Sequence, residues 1–135
     1  MLHRFGAQTI STDGSIVQLG IVGVMQREEI EPFISVLDEV IARHGCYATL
    51  IDAQAMRSLS AESRKLIADW KGVQYCYGNA IYGAGLAART AITLVARAIQ
   101  LFTGNDLQVK FFETQAEAYA WIASRRLDRN PQAGK

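Results

Sequence analysis

The chain has 135 residues, a length that suits one compact domain. Its 14 lysines and arginines nearly balance 13 aspartates and glutamates, so the net charge of +1 gives no general electrostatic reason to expect nucleic acid or an acidic membrane as a partner. The N-terminal residues lack the apolar run of a secretory signal, and no stretch reaches the roughly 20 apolar residues of a membrane span. We therefore expect a cytoplasmic protein.

The first elements in the chain are predicted to be two antiparallel strands. Two β-rich runs, residues 5–10 and 16–24, flank an Asp13-Gly14 pair, which is a strong hairpin signal. The sheet is therefore expected to begin with an antiparallel hairpin.

A helix and a buried strand follow the hairpin. Acidic residues and Pro32 suit the first turn of a helix over residues 28–44, and Gly45 is expected to end it. The nearly continuous apolar run of residues 47–52 is typical of a strand that is covered on both faces. We predict that this strand ends at Asp52 and that a short connection follows.

The rest of the chain alternates helices with strands. The predicted elements are a helix from an N-cap at Ser60 to about residue 75, a strand at 80–82, a helix at 86–103, a strand at 107–112, and a helix from Thr114 to about 126. This order predicts an α/β fold, in which a mixed sheet of about five strands is covered by about four helices. Residues 1–126 should form one domain, and the polar residues 127–135 should form a flexible tail.

The sequence offers no complete set of catalytic or metal-binding residues. Cys46 and Cys76 are isolated and are expected to be reduced structural thiols, and neither histidine has a partner at metal-ligand spacing. Asp52 lacks a second carboxylate or a histidine at a useful spacing. We expect no metal, no cofactor and no enzymatic activity.

The order of elements, with Ile51-Asp52 followed by a serine-rich helix start, resembles the STAS domains, named for sulfate transporters and anti-sigma-factor antagonists. A set of residues is more similar to bacterial stand-alone proteins of the STAS/SEC14 type. These residues are the run 60–64, Ala68-Asp69-Trp70, Tyr82-Gly83-Ala84, Arg89, Leu94, Arg97, Phe111-Phe112-Glu113, Ala118 and Trp121-Ile122. The resemblance covers residues 3–126 and implies a regulatory module that binds a protein partner, or a protein that binds a small apolar ligand.

In the anti-sigma-factor antagonists, a serine at the corresponding helix start is phosphorylated within an Asp-Ser-Ser-Gly-Leu setting. Here that setting is absent after Asp52, and Ser58, Ser60 and Ser63 come several residues later. The resemblance makes these four residues candidates for partner contact or phosphorylation. Ser60 also suits the role of an ordinary helix cap, which needs no further function.

A second candidate site lies before the helix at 86–103. Gly83, Gly85 and Arg89 are arranged as in an anion pocket made of backbone N–H groups, a helix end and a guanidinium, with Arg64 and Tyr82 as neighbours. The SEC14 side of the resemblance implies that this corner holds the head group of a lipid-like ligand. The glycines equally suit close packing of a strand against a helix.

The helix at 86–103 is the most apolar segment of the chain. Its polar residues occupy one narrow stripe, so its apolar surface is wider than a helix needs to cover a sheet. We predict a homodimer through this surface, with Ile92, Val95, Ile99 and Phe102 at the interface. The alternative is that neighbouring helices of the same domain cover these side chains.

Overall fold

The computed structural model describes residues 2–5 and 8–129, and the side chains of residues 8–126. The strands are β1 Leu2–Phe5, β2 Gln8–Asp13, β3 Ile16–Met25, β4 Tyr47–Leu59, β5 Cys76–Tyr82 and β6 Val109–Phe112. The helices are α1 Arg27–His44, α2 Ala61–Asp69, α3 Leu86–Thr103 and α4 Gln115–Arg129, and a 3-10 helix spans Lys71–Tyr75.

The six strands form one sheet in the order in which they occur in the chain. β1, β2 and β3 pair antiparallel, whereas β3 to β6 pair parallel through helical crossovers. Gly14, at φ 60°, makes the turn between β2 and β3. The predicted mixed sheet is confirmed, and β1 adds an edge strand to the five that the sequence indicated.

β4 is longer than predicted. It continues past Asp52 to Leu59, because its second half keeps pairing with β3 as far as the Met25–Leu59 register pair. Ala53, Met56 and Leu59 point into the core, whereas the residues between them are half-buried or exposed. Two register shifts in this pairing break the simple alternation of buried and exposed residues, which is why the segment had the pattern of a loop.

The predicted second helix is divided in the structure. α2 ends at Asp69, Trp70 is extended, and the 3-10 helix follows. A Cβ at Gly72 would lie 2.0 Å from an atom of the Trp70 indole, so this glycine lets the ring pack directly on the backbone. The break in the helix therefore places the Trp70 ring against the rest of the fold.

The helices cover the sheet unequally. α1, α2 and α3 pack on one face around the larger core, which includes Leu37 and Ile99, and α4 packs on the other face around Ala118 and Ile122. The predicted bounds of the first and third helices are confirmed, apart from one residue at the start of α1. α4 continues three residues beyond its predicted end, and residues 130–135 of the predicted tail lie outside the described part of the chain.

Candidate functional site

The start of α2 is tied to the end of β3 by a short hydrogen-bond chain. The Ser60 hydroxyl accepts from the Ser63 backbone N–H at 3.1 Å and donates to the Ser63 hydroxyl at 2.8 Å. The Ser63 hydroxyl in turn donates to the Met25 carbonyl at 2.9 Å, which also accepts from the Ser60 backbone N–H. The prediction that Ser60 is the N-cap is confirmed.

This arrangement separates the three candidate serines. Ser63 is 0% exposed, so its hydroxyl cannot reach a kinase in the folded protein, and its place among the phosphorylation candidates was wrong. Ser58 and Ser60 are half-buried. They remain the candidates at this helix start.

Asp52 lies within β4 and not at its end. Its register neighbours are Gly20 on β3 and Tyr82 on β5, and its carboxylate accepts from the Gln54 backbone N–H at 3.0 Å. Eight positions of extended strand place it roughly 26 Å from Ser60, so the two do not form one site. Burial raises the pKa of the Tyr82 hydroxyl, and the Asp52 charge raises it further.

The backbone around Gly83 is closely packed against neighbouring strands and does not offer its amide to an anion. The Gly83 N–H donates to the Phe112 carbonyl, and a Cβ at this position would lie 2.3 Å from Cγ of Gln54. At φ 75° the residue also has a backbone that favours glycine. The predicted use of the Gly83 amide in an anion pocket was therefore wrong, because that amide extends the sheet.

The two arginines assigned to this corner lie at the starts of different helices, α2 and α3. The Arg89 guanidinium lies over the Phe111 ring of β6, 5.1 Å from its centre, and its Nε–H donates to the Ala84 carbonyl. Arg64 lies in the first turn of α2, whose cap residue Ser60 is hydrogen-bonded to β3. In the sheet, β3 is three strands away from β6. Gly85 is exposed at the N-cap of α3 and lacks a side-chain cap.

α3 packs one side against the core and exposes the other. Ile92, Val95 and Ile99 are 0 to 8% exposed and belong to the larger core, so assigning them to a dimer interface was wrong. These three side chains are covered within the domain, which was the alternative to the dimer. Phe102, the fourth interface candidate, is 80% exposed.

The exposed side of α3 has an apolar row that the sequence prediction had not separated from the buried one. We call it the outer stripe and define it as Leu86, Thr90, Leu94, Arg97 and Leu101. At 100° per residue these five fall within about 80° of the helix circumference, and all are exposed. The three leucines are 83%, 52% and 79% exposed.

α3 is also the one helix in the described part of the chain that is long and apolar enough to cross a membrane. Its inner side chains, such as Val95 and Ile99, lie in the core beside α2 and the sheet. Packing in this core explains part of its apolar composition.

A cavity of about 90 Å³ lies between the sheet and the helices α1, α2 and α3. Its walls are mainly apolar and include Leu19, Ile51, Ile81, Phe33, Leu37 and Val95. Thr49 and Asn79 provide the polar part of the lining, together with Tyr47. This site was not predicted from the sequence, although one signal was present, since Thr49 and Asn79 are polar residues within buried strands.

The polar residues of the cavity wall bind one another. The Thr49 hydroxyl donates to the Asn79 side-chain carbonyl, and the Asn79 amide donates to Cys76 Sγ at 3.2 Å and to the Leu107 carbonyl. Burial raises the pKa of the Cys76 thiol to about 11, and it also raises the pKa of Tyr47, which hydrogen bonds to that thiol. Among the described side chains, no buried nitrogen or oxygen lacks a partner. A ligand in the cavity would therefore meet apolar walls and an already paired polar end.

The described residues contain no group of three or more His, Cys, Asp or Glu side chains that could hold a metal ion. The titratable groups with raised pKa values are buried tyrosines and a cysteine, and burial is the largest cause in each case. The main features of the described surface are therefore the exposed apolar side of α3 and the capped start of α2.

Comparisons with known proteins show what the fold is similar to. No protein-family model matches the chain, and no curated protein matches it in sequence. An uncharacterized protein of the DUF3478 family with a SpoIIAA-like fold, from Shewanella loihica PV-4, superposes with a TM-score of 0.56 at 23% identity, covering 90% of this chain and 89% of that one. The anti-sigma factor antagonist SpoIIAA in its unphosphorylated form gives a TM-score of 0.56 at 10% identity, covering 87% and 98%. The chain therefore has the fold of a stand-alone STAS-like domain, as predicted.

Proposed function

We propose that this protein is a non-enzymatic regulatory module that binds a protein partner through the outer stripe of α3, with the start of α2 as a second contact. The observation that carries the proposal is the exposure of Leu86, Leu94 and Leu101 on a helix whose other side is fixed in the core. Large apolar side chains that are exposed together on one side of a helix are typical of an interaction site. The likeness to an anti-sigma factor antagonist supports a binding role for the fold.

Affinity capture from cells of the source organism tests this proposal. We expect the wild type to retain a specific protein that Leu101→Glu loses, because a charge in the stripe would have to be buried on binding. Ala120→Glu, on the exposed side of α4, is the matched control and should retain the same protein. Equal capture by wild type and both variants would contradict the proposed surface.

A phosphorylation switch at the start of α2 is a finer form of the same proposal. A phosphate on Ser60 would lie at the positive end of the helix dipole, although the hydroxyl would lose its bond to the Ser63 hydroxyl. We expect a cell extract to phosphorylate the wild type but not a Ser58→Ala/Ser60→Ala double variant. Ser60→Asp should remain folded, because aspartate is also a preferred N-cap. Unchanged phosphorylation of the double variant would place the site elsewhere.

The cavity supports a second candidate function, the binding of a small apolar molecule. Its volume of about 90 Å³ is below the roughly 300 Å³ at which pockets for larger ligands begin, so a lipid chain would require the helices to move apart. Trp70 contributes to the cavity wall, and its indole N–H is bonded to Asp38 at 2.9 Å. Opening the cavity on that side would break this bond.

Native mass spectrometry on protein purified without detergent tests the second function. A retained small molecule should be lost in Val73→Ile, which adds a methyl group to the cavity wall. Val36→Ile adds the same group on α1 and serves as the control, since Val36 does not line the cavity. A ligand-free mass for the wild type, together with unchanged tryptophan fluorescence on adding benzene, would rule against it.

A further inference from the structure

We propose that the outer stripe of α3 binds an acidic amphipathic helix of the partner protein, with a carboxylate of that helix paired to Arg97. This inference rests on the proposed function, because it names the chemistry of the partner at the same surface. Three properties of the stripe carry it: its spacing, its length and its charge.

The spacing of the stripe is that of one helix-to-helix seam. Thr90, Leu94, Arg97 and Leu101 follow one another at intervals of four, three and four residues, which is the repeat of side chains facing a second helix. The Thr90 hydroxyl donates to the Leu86 carbonyl within α3, so it leaves no polar group that needs a partner. From Leu86 to Leu101 the stripe extends over about 22 Å, the length of four helical turns.

Arg97 lies between Leu94 and Leu101 along the stripe. Within the described part of the chain it forms no ion pair or hydrogen bond. Arg97 and Asp106 both line a groove between α3 and β6. The Asp106 carboxylate, however, accepts a hydrogen bond from the Gln108 backbone N–H at 2.8 Å. A partner that covers Leu94 and Leu101 must also cover Arg97, and burying that charge requires an anionic group opposite it.

The positive charge of Arg97 determines which kind of partner the stripe can bind. α3 contains two arginines and no acidic residue, so a second copy of α3 would supply no carboxylate and would add like charges to the seam. Helices that lie on a membrane have a strongly charged polar face rich in Lys and Arg, whereas α3 has two charged residues in all, Arg89 and Arg97. Where two helices pack together, a single polar residue among those that face the second helix fixes the register and the choice of partner. Arg97 is at such a position.

Two synthetic amphipathic helical peptides of about 20 residues test the inference. They share a leucine seam and differ in having glutamate or lysine at the seam position that faces Arg97. Fluorescence anisotropy should show the wild type binding the glutamate peptide at least about tenfold more tightly. Arg97→Glu should reverse this preference, and Leu101→Glu should weaken both peptides.

Control variants distinguish a specific pairing of Arg97 with the peptide glutamate from general electrostatic attraction. Arg43→Glu makes the same change in net charge at an exposed position of α1 and should leave the peptide preference unchanged, as should Asp106→Asn. Equal binding of the two peptides, or no saturable binding of either, would overturn the inference. Self-association abolished by Leu101→Glu would assign the stripe to a second copy, and vesicles of phosphatidylglycerol bound in preference to the peptide would assign it to a membrane.

Failure of this inference can be distinguished from failure of the proposed function. If affinity capture depends on Leu101 while neither peptide is preferred, the surface is an interface whose partner has a different chemistry. If capture is unaffected by Leu101→Glu, the proposed function itself fails at this surface.

Discussion

The hydroxyl of Ser63 donates to the carbonyl of Met25 at 2.9 Å, across 38 positions of sequence. This bond joins the start of α2 to the last residue of β3, and Ser63 is completely buried. The cap residue Ser60 donates its own hydroxyl proton to Ser63, so the helix start and the strand end form one hydrogen-bonded unit.

Removing the Ser63 hydroxyl should therefore weaken the fold. We expect Ser63→Ala to lower the free energy of unfolding by about 1–2 kcal/mol, because the Ser60 hydroxyl loses its acceptor and Met25 loses one donor. Ser35→Ala is the control, since Ser35 is exposed and bonds only to a carbonyl of its own helix. It should change stability by less than about 0.5 kcal/mol in urea unfolding. Equal effects of the two substitutions would contradict this account of the α2 start.

The two glycines around the start of α3 should differ in their tolerance of alanine. Gly83→Ala should cost about 1–3 kcal/mol, because the residue has φ 75° and its new Cβ would press on Gln54. Gly85→Ala should cost less than about 1 kcal/mol, since Gly85 has an ordinary φ of −78° and open space around it. Thermal unfolding of both variants measures the difference. If the two variants were equally stable, Gly83 would not be required for packing.

Neighbouring residues of α3 should respond in opposite ways to a negative charge. Val95→Glu should lower the free energy of unfolding by more than about 3 kcal/mol, because the side chain is buried in the core. Leu94→Glu should cost less than about 1 kcal/mol, since Leu94 is half exposed. Circular dichroism during urea unfolding distinguishes them. A stable, fully folded Val95→Glu protein would show that the inner side of α3 is not in the core.

Stability should fall in alkaline solution because of the buried Cys76–Tyr47 pair. Burial raises the pKa of the Cys76 thiol from an ordinary value of 9.0 to about 11, so the unfolded chain loses this proton at a lower pH than the folded one. The free energy of unfolding should therefore be highest below about pH 9 and decrease as the pH rises to about 11. Tyr47, whose pKa is also raised, adds to the loss with the same sign.

Urea unfolding between about pH 8 and pH 11 measures this dependence, and Cys76→Ala should reduce its slope over the lower part of the range. Lys65→Gln, at an exposed position of α2, is a control that should leave the slope unchanged. An unchanged slope in Cys76→Ala would show that the buried thiol does not control the alkaline loss.

Elements with local signals could be predicted from the sequence. Gly45 directly follows α1, and the regular apolar spacing of residues 86–103 lies within α3, so no distant contact was needed to recognise these helices. The second half of β4 had no such signal, because its pairing with β3 contains register shifts and leaves Gln54 and Arg57 exposed.

The candidate sites depended more strongly on tertiary contacts. Ser63 and Ser60 look alike in the sequence, but in the fold Ser63 is completely buried and bonded to Met25, whereas Ser60 is half-buried. Periodicity indicated that α3 has an excess of apolar residues, but it could not show which side faces α2 and the sheet. The cavity beside Thr49 and Asn79 is formed by residues from strands and helices together, so no segment of the chain predicts it by itself.

Site-specific photo-crosslinking in the source organism tests the central claim, that the outer stripe of α3 is the partner interface. A photoreactive amino acid replaces Leu101 in one variant and Ala120, on the exposed side of α4, in the other. The account predicts one discrete crosslinked protein from position 101 and none from position 120. It also predicts that Arg97→Glu weakens the crosslink at position 101. Crosslinks of equal yield at both positions, or a discrete product from position 120 alone, would contradict it.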